Sequence, residues 1–267
     1  MADLPVYEVY AIRYATREGR RQDNFIGGDP HEGPMPMDYF CWLILGEGRR
    51  LVVDTGFTAE VAERRKRRYL RDPVEALSLF GLAAEEVEDV VLTHLHYDHV
   101  GNFARFPKAR FHLQEPELAY ATGKHMRHPF LSHAFEVEDV VGVVRLNYGG
   151  RVVFYAGDAE LAPGIGVHLT GGHSAGLQFV SVNTARGRVV LASDTTHYYE
   201  NMDSGRPFTT TFHVGDTLEG YERLRAVAAS RDHIVPGHDP LVMQLYPPPR
   251  PELEGIAVRL DVAPKPR

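Results

Sequence analysis

This 267-residue chain has one cysteine, Cys41, so no disulfide can form within it. Cys41 lies in the apolar run Tyr39-Phe40-Cys41-Trp42-Leu43-Ile44-Leu45, where a thiol reads as a small buried hydrophobe rather than a nucleophile. No apolar run approaches the roughly 20 residues needed to cross a bilayer. The first ten residues lack the basic region and apolar stretch of a secretory signal. A soluble cytoplasmic protein is therefore the expectation. Basic excess is missing too: 29 Lys and Arg stand against 36 Asp and Glu, a formal net charge of −7. That balance argues against a nucleic-acid partner and against adhesion to an anionic membrane. The length suffices for a sizeable core, and neither a linker-like composition shift nor a low-complexity segment divides it. One domain over 1–267 is expected.

What the chain has is alternation. Strand patterns occupy 6–14, 39–45 and 50–53, the last two joined by Gly46-Glu47-Gly48 as a hairpin turn. Residues 16–37 are polar and rich in Gly and Pro, which reads as a long loop. Helical patterns follow at 60–70 and 73–82, then a buried strand at 87–92, a strand at 110–113 and a helix at 115–122. Residues 125–135 mix histidines and aromatics without a clear period. Further on, strands are expected at 140–146, 152–155, 167–169, 177–182, 189–192 and 233–235, with a helix at 214–230. The proline-rich tail from 247 is expected to lie across the surface. Strands thus come in two blocks, each followed by helices. This predicts an α/β protein, two β-sheets packed face to face with helices outside. The run Arg64-Arg65-Lys66-Arg67-Arg68 reads as a solvated helix or lid segment, with guidance of an anionic substrate left open.

The chemistry is concentrated in His94-Leu95-His96-Tyr97-Asp98-His99. His94 and His96 stand two apart after a strand, so in an extended backbone both imidazoles project from one face. Asp98 and His99 follow at a turn and can approach from another side. One short loop can offer four ligands to two adjacent metal sites. Imidazole nitrogen with carboxylate oxygen suits zinc, and also manganese, iron or cobalt. Three more candidates stand at strand ends: His173 in Thr170-Gly171-Gly172-His173-Ser174-Ala175-Gly176, Asp194 in Ala192-Ser193-Asp194, and His238 in Pro236-Gly237-His238.

These segments, with 93–101 around the first motif, resemble the ligand motifs of the metallo-β-lactamase superfamily. The resemblance implies an αβ/βα sandwich, two mixed sheets with the metal site at one edge. It implies that His94, His96 and His173 hold one divalent ion, that Asp98, His99 and His238 hold a second, and that Asp194 bridges them. Asp54, in Val53-Asp54-Thr55-Gly56, would orient the site without ligating. Within the superfamily, the compact size, the loop before Tyr39, the form His-Leu-His-Tyr-Asp-His-Val-Gly-Asn and residues 111–121 look most like the N-acyl-homoserine lactonases.

That resemblance implies hydrolysis of a small lactone or ester by a water activated between the ions, with Asp98 handling its proton. A glyoxalase II-like thioesterase is the alternative on the same site, and an oxidoreductase of the superfamily a more distant one. In one place the chain departs from the group. A tyrosine is expected three residues after the bridging aspartate, and His197 stands there, followed by Tyr198 and Tyr199. Either His197 or a neighbouring tyrosine would donate to the oxyanion, or the substrate differs. Met35, Met37, Tyr39, Phe40, Phe103, Phe106 and Phe130 are candidate pocket residues, each also accounted for by core packing. A homodimer stays open.

Overall fold

Period-two alternation along the strands sorts their apolar side chains into inner and outer layers. In the computed structural model, which describes residues 4–266, thirteen strands form two sheets. The first contains β1 (Glu8–Arg17), β2 (Met37–Gly46), β3 (Arg49–Val53), β4 (Arg68–Tyr69), β5 (Asp89–Val91), β6 (Arg110–Gln114) and β7 (Val152–Tyr155). The second contains β8 (Ala159–Ala162), β9 (Ile165–Leu169), β10 (Gln178–Thr184), β11 (Gly187–Ser193) and β12 (Ile234–Pro236). A last strand, β13 (Ala257–Arg259), returns to the first sheet beside β1. Pairing runs antiparallel from β13 through β1 and β2 to β3, then parallel through β5 and β6 to β7. In the second sheet only β11 and β12 are parallel.

Eight helices complete the described residues: α1 (Ala59–Arg64), α2 (Tyr97–Val100), α3 (Glu115–Ala121), α4 (Pro129–Ser132), α5 (Val137–Tyr148), α6 (Tyr199–Ser204), α7 (Val214–Val227) and α8 (Leu241–Leu245). Leu51 and Val53 of β3, with Trp42 and Ile44 of β2, meet Val180, Val182 and Leu191 of the second sheet in one buried cluster. Alternate residues face outward. Val52 and Val90 pack with Val140 and Val143 of α5, and Phe179 and Val190 pack with Tyr221 and Leu224 of α7. The sandwich expected from the two strand blocks is what forms, with helices on both outer faces.

Four expectations change. Residues 140–146, read as a strand from their valines, lie in α5. Val140 and Val143 are three apart and both buried, and that helical face overrides the β preference of valine. The helix expected at 60–70 ends at Arg64. Lys66 takes a positive φ of 55°, and Arg68 and Tyr69 pair with β1 instead. The tail is not merely draped over the surface: β13 extends the first sheet, and Leu253 and Leu260 are buried. The pattern at 73–82 becomes a 3-10 segment, Glu75–Phe80, closed by Gly81. No helix among the described residues is long and apolar enough to cross a membrane.

Candidate metal centre

The strands of both sheets stop at one edge, and each stop delivers a polar side chain. After β5, Leu92 still donates to His112 O, and Thr93 N and Oγ1 both donate to the carboxylate of Asp54 at 2.8 Å. His94 and His96 follow, and α2 carries Asp98 and His99. His173 sits in the turn between β9 and β10, Asp194 directly after β11, and His238 after β12. All seven are buried.

The imidazoles are held from behind. His99 Nδ1 lies 2.7 Å from Asp54 Oδ2, His173 Nδ1 2.5 Å from Thr210 O, and His238 Nδ1 2.9 Å from Asp38 O. A ring that donates from Nδ1 presents the Nε2 lone pair to the opposite side. Those nitrogens converge on Asp194. His173 Nε2 is 3.1 Å and His94 Nε2 3.8 Å from Oδ2, while His238 Nε2 is 3.0 Å and His99 Nε2 3.4 Å from Oδ1. Asp98 Oδ2 lies 3.7 Å from His99 and 3.8 Å from His238. His96 Nδ1 lies 2.9 Å from His173 Nε2. Two groups with ligand atoms within 4.8 Å of one another result: His94, His96, His173 and Asp194 in one, Asp98, His99 and His238 in the other.

A divalent cation fits this arrangement on the structure's own terms. His94 Nε2, His99 Nε2 and Asp194 Oδ1 are buried without a hydrogen-bond partner, an arrangement costly for polar atoms unless a further group completes it. Burial, reinforced by neighbouring imidazoles, holds His94 and His96 far below the ordinary histidine pKa, so both rings are neutral. Burial would raise Asp194, yet the surrounding His197, His238, His99 and His173 hold it well below the usual carboxylate range. Burial likewise works against charge on His99 and His238, but nearby carboxylates, Asp194 foremost, outweigh it and raise both.

His197 joins the centre. Its Nε2 is 3.1 Å from Asp194 Oδ2, and its ring stacks on Phe208 at 3.7 Å. Burial pushes its pKa down to about 3, so it is neutral. With Asp194 and His238 it forms a third, overlapping group of ligand atoms. Tyr198 does not join. Its ring packs behind the cavity wall with Tyr39, Tyr97 and Phe208, and its hydroxyl is turned away, donating to Pro36 O at 3.2 Å and accepting from Asn24 Nδ2 at 3.2 Å. A tyrosine so held is a packing residue at the wall of a different cavity. Tyr199 packs into the core between the sheets.

The cavity over the centre has a volume of about 250 Å³ and is walled by Met37, Tyr39, Tyr97, His197 and Phe208. Phe40 belongs to the inter-sheet core, and Phe103 and Phe106 to the outer cluster. Met35 lines a larger cavity of about 830 Å³ that contains none of the candidate ligands, so volume does not locate the chemistry. Phe130 is 72% exposed and absent from that cavity, but it lines a smaller adjoining one with His96 and His173. Four further residues reach or brace the centre. Tyr97, inside the first motif, shares a 3.3 Å contact with the Tyr39 hydroxyl, and Arg17 and Arg67 reach the same cavity from distant segments. Glu117 of α3 accepts from Leu95 N, Ser174 Oγ and Gly176 N, tying the first motif to the His173 turn.

Neither serine arrangement in the fold offers a nucleophile. Gly172-His173-Ser174-Ala175-Gly176 has the spacing of a serine-hydrolase elbow, but Ser174 is buried and donates to Glu117 at 2.7 Å. Asp158, His168 and Ser181 form a hydrogen-bonded line at 3.0 and 2.9 Å. Ser181 stands in β10, paired on both sides, so its backbone N–H groups are committed to the ladder and form no oxyanion hole.

Similarity to known proteins agrees with the geometry. The chain is 27% identical to an N-acyl homoserine lactonase of Bacillus cereus over 216 residues, covering 75% of this chain and 80% of that protein. With an N-acyl homoserine lactonase of Bacillus thuringiensis it shares 29% identity over 170 residues, 62% of this chain and 61% of that protein. The fold matches the crystal structure of a quorum-quenching N-acyl homoserine lactone lactonase with a TM-score of 0.75 at 22% identity, over 90% of this chain and 95% of that one. Residues 35–238, which contain every candidate ligand, match the Metallo-beta-lactamase superfamily, and the chain belongs to that superfamily.

Proposed function

We propose that the protein is a metal-dependent hydrolase that opens the ring of a small lactone, with N-acyl homoserine lactones and simpler lactones as the first substrates to test. The observation that carries the reading is the convergence of seven buried ligand-type side chains whose innermost atoms, His94 Nε2, His99 Nε2 and Asp194 Oδ1, have no hydrogen-bond partner. His94, His96 and His173 would hold one divalent ion, Asp98, His99 and His238 a second, and Asp194 would lie between them. Zinc suits that nitrogen and oxygen set, and iron, manganese and cobalt share it. Such ions supply Lewis acidity and a water of lowered pKa.

The chain's own groups account for the rest. Asp98 borders the cavity and is placed to orient the attacking water and take its proton. His197, kept neutral by burial and fixed by Phe208, carries the imidazole N–H nearest the centre for a developing oxyanion. Met37, Tyr39 and Phe208 shape an apolar wall. A single domain acting in the cytoplasm on a small molecule, without a nucleic-acid or membrane partner, completes the proposal.

The test is metal content measured together with turnover of N-acyl homoserine lactones, γ-lactones, simple esters and S-lactoylglutathione. Lactone hydrolysis that chelation abolishes is the expected result. Thioester turnover without lactone turnover would move the assignment to a thioesterase, and a metal-loaded protein inert toward every lactone would end the lactonase reading.

A further inference from the structure

We propose that Arg17 and Arg67 form an anion-binding subsite beside the metal centre, so that the substrate is a compact lactone or ester bearing a carboxylate. The proposal deepens the hydrolase reading above and rests on it for the identity of the neighbouring chemistry.

Strand register brings the two arginines together. β1 and β4 pair antiparallel with Ala15 opposite Tyr69 and Thr16 opposite Arg68, which brings Arg17, the last residue of β1, and Arg67, the residue before β4, to the same end of the pairing. Like charges brought to one end of a strand pairing repel. Neither is held in an ion pair among the described residues, although the Asp98 carboxylate stands near enough to act on Arg67. Among the described residues, Arg17 has only a 3.4 Å contact from Nε to Met37 Sδ. Arg67 donates from Nε to the Tyr97 hydroxyl at 3.0 Å and from Nη1 to Arg65 O at 2.8 Å, both neutral acceptors. By contrast, Arg64 and Arg65 of the same basic run are each held by Glu136 at 2.8 Å.

Both cations face the candidate active site. They line the cavity that Asp98, Asp194 and His197 also line. Tyr39, whose ring stands edge-on to His238 at 5.2 Å, lines the same cavity. Asp23 is the remaining carboxylate on that cavity; it is exposed and in ion-pair contact with neither arginine. Two guanidinium groups set side by side match the two oxygens of a carboxylate, which accepts paired N–H donors in one plane. At about 250 Å³, the cavity is small for a ligand site, so a short bifunctional anion fills it where a long acyl chain would project into solvent.

The test compares β-carboxy-γ-butyrolactone with its methyl ester on the metal-loaded protein, in the wild type, Arg17→Gln, Arg67→Gln and Arg67→Lys. The wild type is expected to prefer the acid by at least about tenfold in kcat/KM, with the preference shrinking as salt rises. Either glutamine variant should bring the ratio near one, and Arg67→Lys should restore part of it. Thermal unfolding supplies a readout independent of activity. Arg17→Gln should leave the melting temperature unchanged or raise it, because it removes a repulsion and no ion pair. Equal turnover of acid and ester, or a preference that survives both glutamine variants, would overturn the subsite and leave the lactonase reading standing. If neither compound is hydrolysed, the lactonase reading is decided by the wider lactone panel above. Calorimetric binding of the acid to the wild type and the two glutamine variants then judges the subsite alone, and equal affinity for all three overturns it.

Discussion

Residues that carry charge into the interior of this protein are each matched to a partner, and the exceptions are informative. Asp54 is fully buried, yet His99, Thr93 N and Thr93 Oγ1 surround its carboxylate, so its role is to aim His99 at the centre. Asp139, in the first turn of α5, lacks that company. Its Oδ2 is buried without a hydrogen-bond partner, and burial, with Glu136 and Glu138 nearby, pushes its pKa up to about 6. The sign of the resulting pH dependence follows. Below about pH 4 the carboxyl is protonated in both the folded and the unfolded chain and costs nothing. Between about pH 4 and 6 the unfolded chain gives up a proton that the folded chain retains, so stability falls as pH rises. Above pH 6 the cost is constant. Asp139→Asn should therefore raise stability at neutral pH by about 1 kcal/mol, a value discounted because the side chain is half-buried and screened. The gain should vanish below pH 4. Urea unfolding of both proteins from pH 3.5 to 8 checks it, and a difference that does not change with pH would refute the assignment.

At the scale of elements, the centre depends on a short helix outside it. Glu117 of α3 accepts from Leu95 N at 2.9 Å on one oxygen and from Ser174 Oγ and Gly176 N on the other. One buried carboxylate thus fixes both the segment bearing His94 and His96 and the turn bearing His173. Gly176 is what permits this approach: a Cβ there would stand 2.2 Å from Glu117 N. Gly176→Ala should force α3 away from the turn, destabilising the protein by about 1–3 kcal/mol and lowering metal content together. Thermal unfolding with metal analysis checks both, and a variant that melts and binds metal like the wild type would rule the clamp out.

This clamp also shows what the sequence made legible. Alternation in β3, β10 and β11 announced the two sheets, and the local spacing of 94–99 announced part of the His/Asp cluster, because both signals are carried within a few residues. Glu117 is silent in sequence, since its partners are a backbone N–H from before it and two groups some 57–59 positions after it. Arg17 is silent for the same reason, whereas Arg67 lies in the basic run 64–68, whose charge leaves guidance of an anionic substrate open. Tyr198 misleads because Pro36 and Asn24, far away in the chain, turn its hydroxyl aside. In α5, local valine preference pointed one way and the buried face another.

Over the whole molecule, the candidate ligands come from one edge of both sheets: from the loop after β5 in the first, and from the ends of β9, β11 and β12 in the second. Cations bound there would fasten the two sheets to each other at the edge where the strands stop, beyond the apolar layer that joins their faces. Removing them leaves imidazole lone pairs facing one another around Asp98 and Asp194 in a buried space. Metal that binds the folded chain alone stabilises it by about 2.7 kcal/mol at a free concentration a hundred times its Kd. For a chain of this size that corresponds to a fall in Tm of roughly 5–10 °C after chelation. Readdition of zinc should restore it, with recovery complete near two ions per chain. Recovery should weaken at acid pH, because protons compete for the same nitrogen atoms. Calorimetric scans of the purified, chelated and reconstituted protein, read beside metal content, test this directly. A chelated protein that melts where the untreated protein does, and that zinc leaves unmoved, would mean that these seven side chains meet for a reason other than binding metal.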